Sequence, residues 1–84
     1  ILFRELALFK LAGKSFKLEK AKKLCKKYNG LVLDKTKKSF VIQVTALRRD
    51  IDKLTLILKP LGLISVSRTG AVAMTKGKEI FIKN

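Results

Sequence analysis

Ser39-Phe40-Val41-Ile42-Gln43-Val44-Thr45-Ala46-Leu47-Arg48-Arg49-Asp50-Ile51-Asp52-Lys53-Leu54 changes its apolar period partway along. Over residues 39–46, Phe40, Ile42 and Val44 alternate with Val41, Gln43 and Thr45, which is the two-residue period of a strand, and the β-branched content supports it. From Leu47 the period lengthens: Leu47, Ile51, Leu54, Leu58 and Leu61 recur at helical spacing, with Asp50 and Asp52 near the end that favours negative charge. Pro60 in the last turn and Gly62 just beyond it stop this helix, predicted over 48–61. A further strand follows over 63–67, where Ile64 and Val66 alternate with Ser65 and Ser67. Gly70 is expected to break it before a short apolar run over 71–74, and a last extended piece is expected over 79–82.

Upstream the same order of elements occurs. Residues 4–11 set Leu6, Leu8 and Lys10 against Glu5, Ala7, Phe9 and Leu11; neither set is wholly polar, so the strand is read as buried on both sides at its centre. Ser15 is read as an N-cap after the connection 12–14. Over 16–28 the residues Leu18, Ala21, Leu24, Cys25 and Tyr28 fall on one helical stripe, and lysines fill the rest. Asn29 and Gly30 end that helix, Gly30 being the residue expected to take the left-handed conformation. Residues 31–35 and 39–46, joined by the polar turn 36–38, form a hairpin.

Two strand-helix-strand units in succession give an α+β architecture, the ferredoxin-like βαββαβ sandwich. Two helices cover one face of a four-stranded antiparallel sheet, with a short C-terminal extension. The other face needs cover. Phe9, Leu11, Val41 and the 71–74 run are expected to form an apolar patch there, closed by a second copy of the chain or by another domain.

Composition bounds the function. The chain has 84 residues, a formal charge of +14 and 48% hydrophobic residues, so it folds as one small domain despite its charge. A single cysteine excludes an internal disulfide, and the lack of histidine excludes the usual Cys/His zinc sites. Cys25 has no imidazole to activate it and sits on the apolar stripe, so it reads as a buried structural thiol. No apolar run approaches the roughly 20 residues of a membrane span. Ile1 is an unusual natural start and no signal pattern follows it, so the chain is expected to be a fragment of a longer intracellular protein.

Particular words in the sequence add to the periodicity. Arg4-Glu5-Leu6-Ala7-Leu8-Phe9-Lys10, Ile51-Asp52-Lys53-Leu54, Leu58-Lys59-Pro60-Leu61-Gly62 and Arg68-Thr69-Gly70-Ala71-Val72-Ala73-Met74 stand in one order, with Val32-Leu33-Asp34-Lys35-Thr36-Lys37-Lys38-Ser39 between the first two. Together they resemble the C-terminal domain of the small, regulatory subunit of acetolactate synthase (acetohydroxyacid synthase), from Arg4 to about Lys78. The sequence departs from the family wording at Lys26-Lys27-Tyr28-Asn29-Gly30, at Ser67 and at Lys76-Gly77. The resemblance implies a noncatalytic, ferredoxin-like domain with no cofactor of its own, which helps bind and activate a thiamine-diphosphate-dependent catalytic subunit in branched-chain amino-acid synthesis. It further implies a homodimer, a cytoplasmic or plastid-stromal location, and a valine site on an N-terminal ACT domain that this chain lacks.

Candidate contact residues are Arg68, Thr69 and Gly70, where a strand end aims an arginine and free backbone N–H groups at a partner, together with Arg4 and Glu5. The simpler alternatives are that Arg68 pairs locally with Glu5 or Asp34, and that Arg4 and Glu5 form a cross-strand pair at an edge. Asp34 reads as a turn-capping acid, and Phe16 and Tyr28 as core or core-edge residues. Residues 14–27 hold seven lysines against Glu19 alone. That stripe is read first as a solvated face, second as a surface for an acidic protein and third as a nucleic-acid site. The last is disfavoured because only four of the twenty basic residues are arginine and no aromatic strand signature is present.

Overall fold

The computed structural model describes residues 2–74 and 80–82, with side chains over 4–69. The elements are β1 (Leu2–Ala12), α1 (Ser15–Lys26), β2 (Leu31–Lys35), β3 (Ser39–Ala46), α2 (Arg48–Leu58), a 3-10 turn (Lys59–Leu61), β4 (Leu63–Met74) and β5 (Ile80–Ile82). The sheet is antiparallel in the order β2-β3-β1-β4-β5. Its first four strands and two helices make the ferredoxin-like arrangement, and β5 is the C-terminal extension, added along the far edge of β4.

β1 is central because it can bury one face completely. Ala7, Phe9 and Leu11 are fully buried and stand opposite Val44, Ile42 and Phe40 of β3. Leu18, Ala21 and Cys25 of α1 and Ile51, Leu54 and Leu58 of α2 close over them in one cluster. Each large aliphatic or aromatic side chain so buried contributes about 1.5–3 kcal/mol. Leu6 and Leu8 point the opposite way, half-buried, as does Val41 on β3. Among the described residues the open face thus carries Leu6, Leu8 and Val41, with Leu31 of β2 on the same face beside Gln43, whereas Phe9 and Leu11 belong to the helix side. A strand has only two faces, and the helices take the odd-numbered one. The side chains of 71–74 lie outside the described residues, as does Glu79 of the expected last strand.

The ends of the helices differ from expectation in instructive ways. Lys14, with no side-chain cap, precedes α1, and Ser15 is its first residue. Phe16 is 66% exposed, away from the core it was expected to join, whereas Tyr28 packs on the core edge. At the C-terminus the left-handed residue is Asn29, with φ of 58°, not Gly30. Gly30 is needed for space: a Cβ there would lie 2.9 Å from both the Cys25 carbonyl oxygen and Ile42 Cδ1. α2 stops at Leu58 and tightens into the 3-10 turn through Pro60. Gly62 closes that turn with φ of 102°, and its carbonyl accepts the Ala12 N–H at 2.9 Å. The end of the second helical segment is thereby tied to the end of β1.

β4 corrects a further expectation. It runs unbroken through Gly70 to Met74, in contact with β1 along most of its length. The irregularity expected at Gly70 is present as a bulge inside the strand, not as a strand end.

Candidate functional site

Glu5 of β1 pairs with Ala71 of β4, and Ala7 pairs with Arg68, so Thr69 and Gly70 together face Leu6 alone. An extra residue in one strand leaves ladder groups without backbone partners. The Thr69 hydroxyl fills the gap, accepting the Leu6 N–H and donating to the Leu6 carbonyl, both at 3.3 Å. The candidate tripeptide thus begins as a device for keeping two long strands together across a misfit.

Arg68, like Ala7, points towards the helices. Its guanidinium Nε and Nη2 donate to the two carboxylate oxygens of Glu5, the latter at 2.9 Å, and Nη1 meets Asp52 Oδ1 of α2 at 2.6 Å. Glu5 is 4% exposed, so its charge stands almost wholly out of water and is sustained by this fork. The hydrogen bond to Glu5, seconded by Asp52, holds the Arg68 guanidinium protonated even more firmly than usual. Arg48 Nε lies 3.9 Å from Glu5 Oε2, but its side chain is 86% exposed and it adds little. The cluster locks β1, β4 and α2 to one another.

Of the two alternatives for Arg68, the structure shows the local pair with Glu5. Asp34 is remote, on β2, where its Oδ1 accepts the N–H of Lys35 at 2.9 Å. The hairpin beyond it is closed by Thr36 and Ser39, through a Thr36 N–H donated to the Ser39 carbonyl at 2.8 Å and a hydroxyl pair at 2.7 Å. Arg4 and Glu5 do not pair with each other. They are consecutive on the central strand, not at an edge, and so point to opposite faces. From the sequence Asp52 reads as an acid near the favourable end of its helix, not as a partner of Arg68. The available signal was its position one helical turn after Arg48, but only the register of β4 brings Arg68 to it.

Elsewhere the chemistry is quiet. Cys25 is fully buried, and burial pushes its thiol up to about 11, so it is a protonated, unreactive group at neutral pH. The neighbouring Lys35 side chain holds Lys22 below the ordinary lysine value, while Glu19, 3.8 Å away, opposes that shift. Among the described residues no three His, Cys, Asp or Glu side chains converge on a metal-sized site. No helix among them is long and apolar enough to cross a membrane. Phe9 and Phe40, the aromatics described on the central strands, lie under the helices and offer no stacking surface for bases.

Comparison with known proteins agrees with the order of motifs. The family described as "Small subunit of acetolactate synthase" matches residues 4–77. The acetolactate synthase small subunit of Bacillus subtilis is 32% identical over 79 residues, which is 94% of this chain and 46% of that protein. The crystal structure of the acetolactate synthase small subunit from Thermotoga maritima superposes with a TM-score of 0.75 at 26% identity, covering 93% of this chain and 48% of the other. The chain thus spans about half the length of these relatives. With its motifs, its strand order and this match running over nearly all its length, the chain belongs to the acetolactate synthase small-subunit family.

Proposed function

We propose that the chain is a noncatalytic, regulatory domain that helps bind and activate the catalytic subunit of acetolactate synthase in branched-chain amino-acid synthesis. The observation that carries this reading is the family match over residues 4–77. In this reading the thiamine-diphosphate chemistry belongs to the catalytic subunit, and valine binds an ACT domain in the half of the relatives that this chain does not span. Arg68, Thr69, Gly70 and Glu5 act on the partner indirectly, by fixing the β1–β4 junction. Arg4, which stands opposite Val72 on the other face, is the member of the candidate set directed away from that cluster.

The test is co-purification with the cognate catalytic subunit and an activity assay. The complete small subunit is expected to raise acetolactate formation severalfold and this domain to co-purify with the catalytic subunit. No binding and no stimulation by the complete small subunit removes the proposal.

The open face, carrying Leu6, Leu8 and Val41, is assigned in the same reading to a second copy of the chain. Sedimentation equilibrium at micromolar concentration is expected to give twice the chain mass, and Leu8→Lys to return it to the monomer. A monomer mass for the unaltered protein rejects the dimer.

A further inference from the structure

α1 and α2 leave a groove of about 310 Å³ on the outer surface, lined by Lys20, Lys23, Leu24, Lys27, Ile57 and Leu61. Its composition is unusual for a solvated helix face. The floor is apolar: Ile57 is 39% exposed, and Leu24 and Leu61 are half-buried. The three lysines come from one side of α1 and its C-cap, Lys27, and among the described residues none of them has a carboxylate within ion-pair distance. Glu19, the acid nearest in sequence, is directed to Lys22 instead. Solvation accounts for the lysines but leaves the apolar floor unexplained.

The occupant can be argued from complementarity. A purely anionic ligand would leave Leu24, Ile57 and Leu61 in water. A nucleic acid would look for arginine forks or aromatic faces, and neither lines the groove. We propose that the groove receives an acidic amphipathic segment of a protein partner, with apolar side chains on Leu24, Ile57 and Leu61 and carboxylates at Lys20, Lys23 and Lys27. Recognition of this kind lays one apolar stripe into a groove and uses charge to set orientation and speed of encounter. It goes beyond the regulatory reading, because it does not depend on which protein supplies the segment.

The probe is a fluorescein-labelled peptide with leucines at helical i, i+3, i+4 and i+7 spacing and glutamates elsewhere, read by anisotropy against this chain. Saturable binding is expected, weakened about tenfold by Ile57→Asp and by the triple change Lys20→Ala, Lys23→Ala, Lys27→Ala. The triple change Lys14→Ala, Lys37→Ala, Lys38→Ala removes the same charge away from the groove and is expected to alter affinity less than about twofold. The groove-lysine triple leaves the apolar packing untouched, so the test survives should Ile57→Asp fail to fold. The proposal is overturned if the peptide does not bind, if polyglutamate binds as well as the amphipathic peptide, or if the two lysine triples weaken binding equally. It is also overturned if a mixed-sequence oligonucleotide binds more tightly than the peptide and displaces it.

Discussion

Gly62→Ala is expected to lower the unfolding free energy by about 3–5 kcal/mol, out of the roughly 5–15 kcal/mol that a domain of this kind holds in total. Two separate effects add at this position. The residue has φ of 102°, where an L side chain is strained by about 1–3 kcal/mol. The new Cβ would also stand 2.4 Å from the Ala12 carbonyl oxygen, a backbone atom that cannot swing aside. Relieving that collision means moving the turn, and with it goes the hydrogen bond from the Ala12 N–H to the Gly62 carbonyl, about another 1 kcal/mol. Gly13 supplies the control, since it has φ of 136° with nothing within 4 Å of its added Cβ. Gly13→Ala should therefore cost only the backbone strain. Urea titrations of the two variants separate the effects, and equal midpoints would show that the approach of the turn to β1 is not a constraint.

Arg68→Ala is expected to cost about 3 kcal/mol, because it abandons the Glu5 carboxylate in a place water hardly reaches. For a domain of this length that corresponds to a fall in melting temperature of about 12–24 °C. The double variant Glu5→Leu, Arg68→Met should be more stable than Arg68→Ala, since removing both charges leaves no unpaired ion and fills the space with apolar atoms. Arg48→Ala, by contrast, should change stability by less than about 0.5 kcal/mol, its side chain being mostly in solvent. Thermal melts of the three variants decide the matter: a loss at Arg48 as large as that at Arg68 would mean that Glu5 is held in some other way.

Much of this architecture was legible in the residues. The change of period at Leu47 marks the passage from β3 to α2, and Pro60 with Gly62 marks the end of the second helical segment within a few positions. Those signals are local, so one chain segment suffices to read them. What the residues did not disclose depends on pairing. Thr69-Gly70 reads as a strand end because a glycine interrupts the pattern, and only the opposing β1 shows that the interruption is a bulge with the strand continuing beyond it. The pairing of Arg68 with Ala7, two residues on from Val66 opposite Phe9, sets which face Arg68 takes, and hence its partners. Phe16 stands in solvent for a simpler reason, since it lies in the first turn of α1, outside the buried stripe of Leu18, Ala21 and Cys25. Leu24 reads as an ordinary member of its helical stripe, and the groove it shares with Ile57 and Leu61 exists only once α1 is brought against the end of the second helical segment.

The position of β1 between β3 and β4 bears on how the chain folds as it is made. The first strand described is the sheet's centre, yet its partner Arg68 stands 63 residues after Glu5. Contacts so far apart in sequence close slowly, because the chain entropy lost in bringing the ends together precedes the gain. During synthesis β1 can pair with β3 as soon as the hairpin emerges, but its other edge stays unpaired until β4 leaves the ribosome. Throughout that interval Glu5 lacks the Arg68 fork that shelters its charge. No N-terminal fragment ending before β4 contains a finished sheet, and the centre of the domain keeps one open edge until that strand arrives.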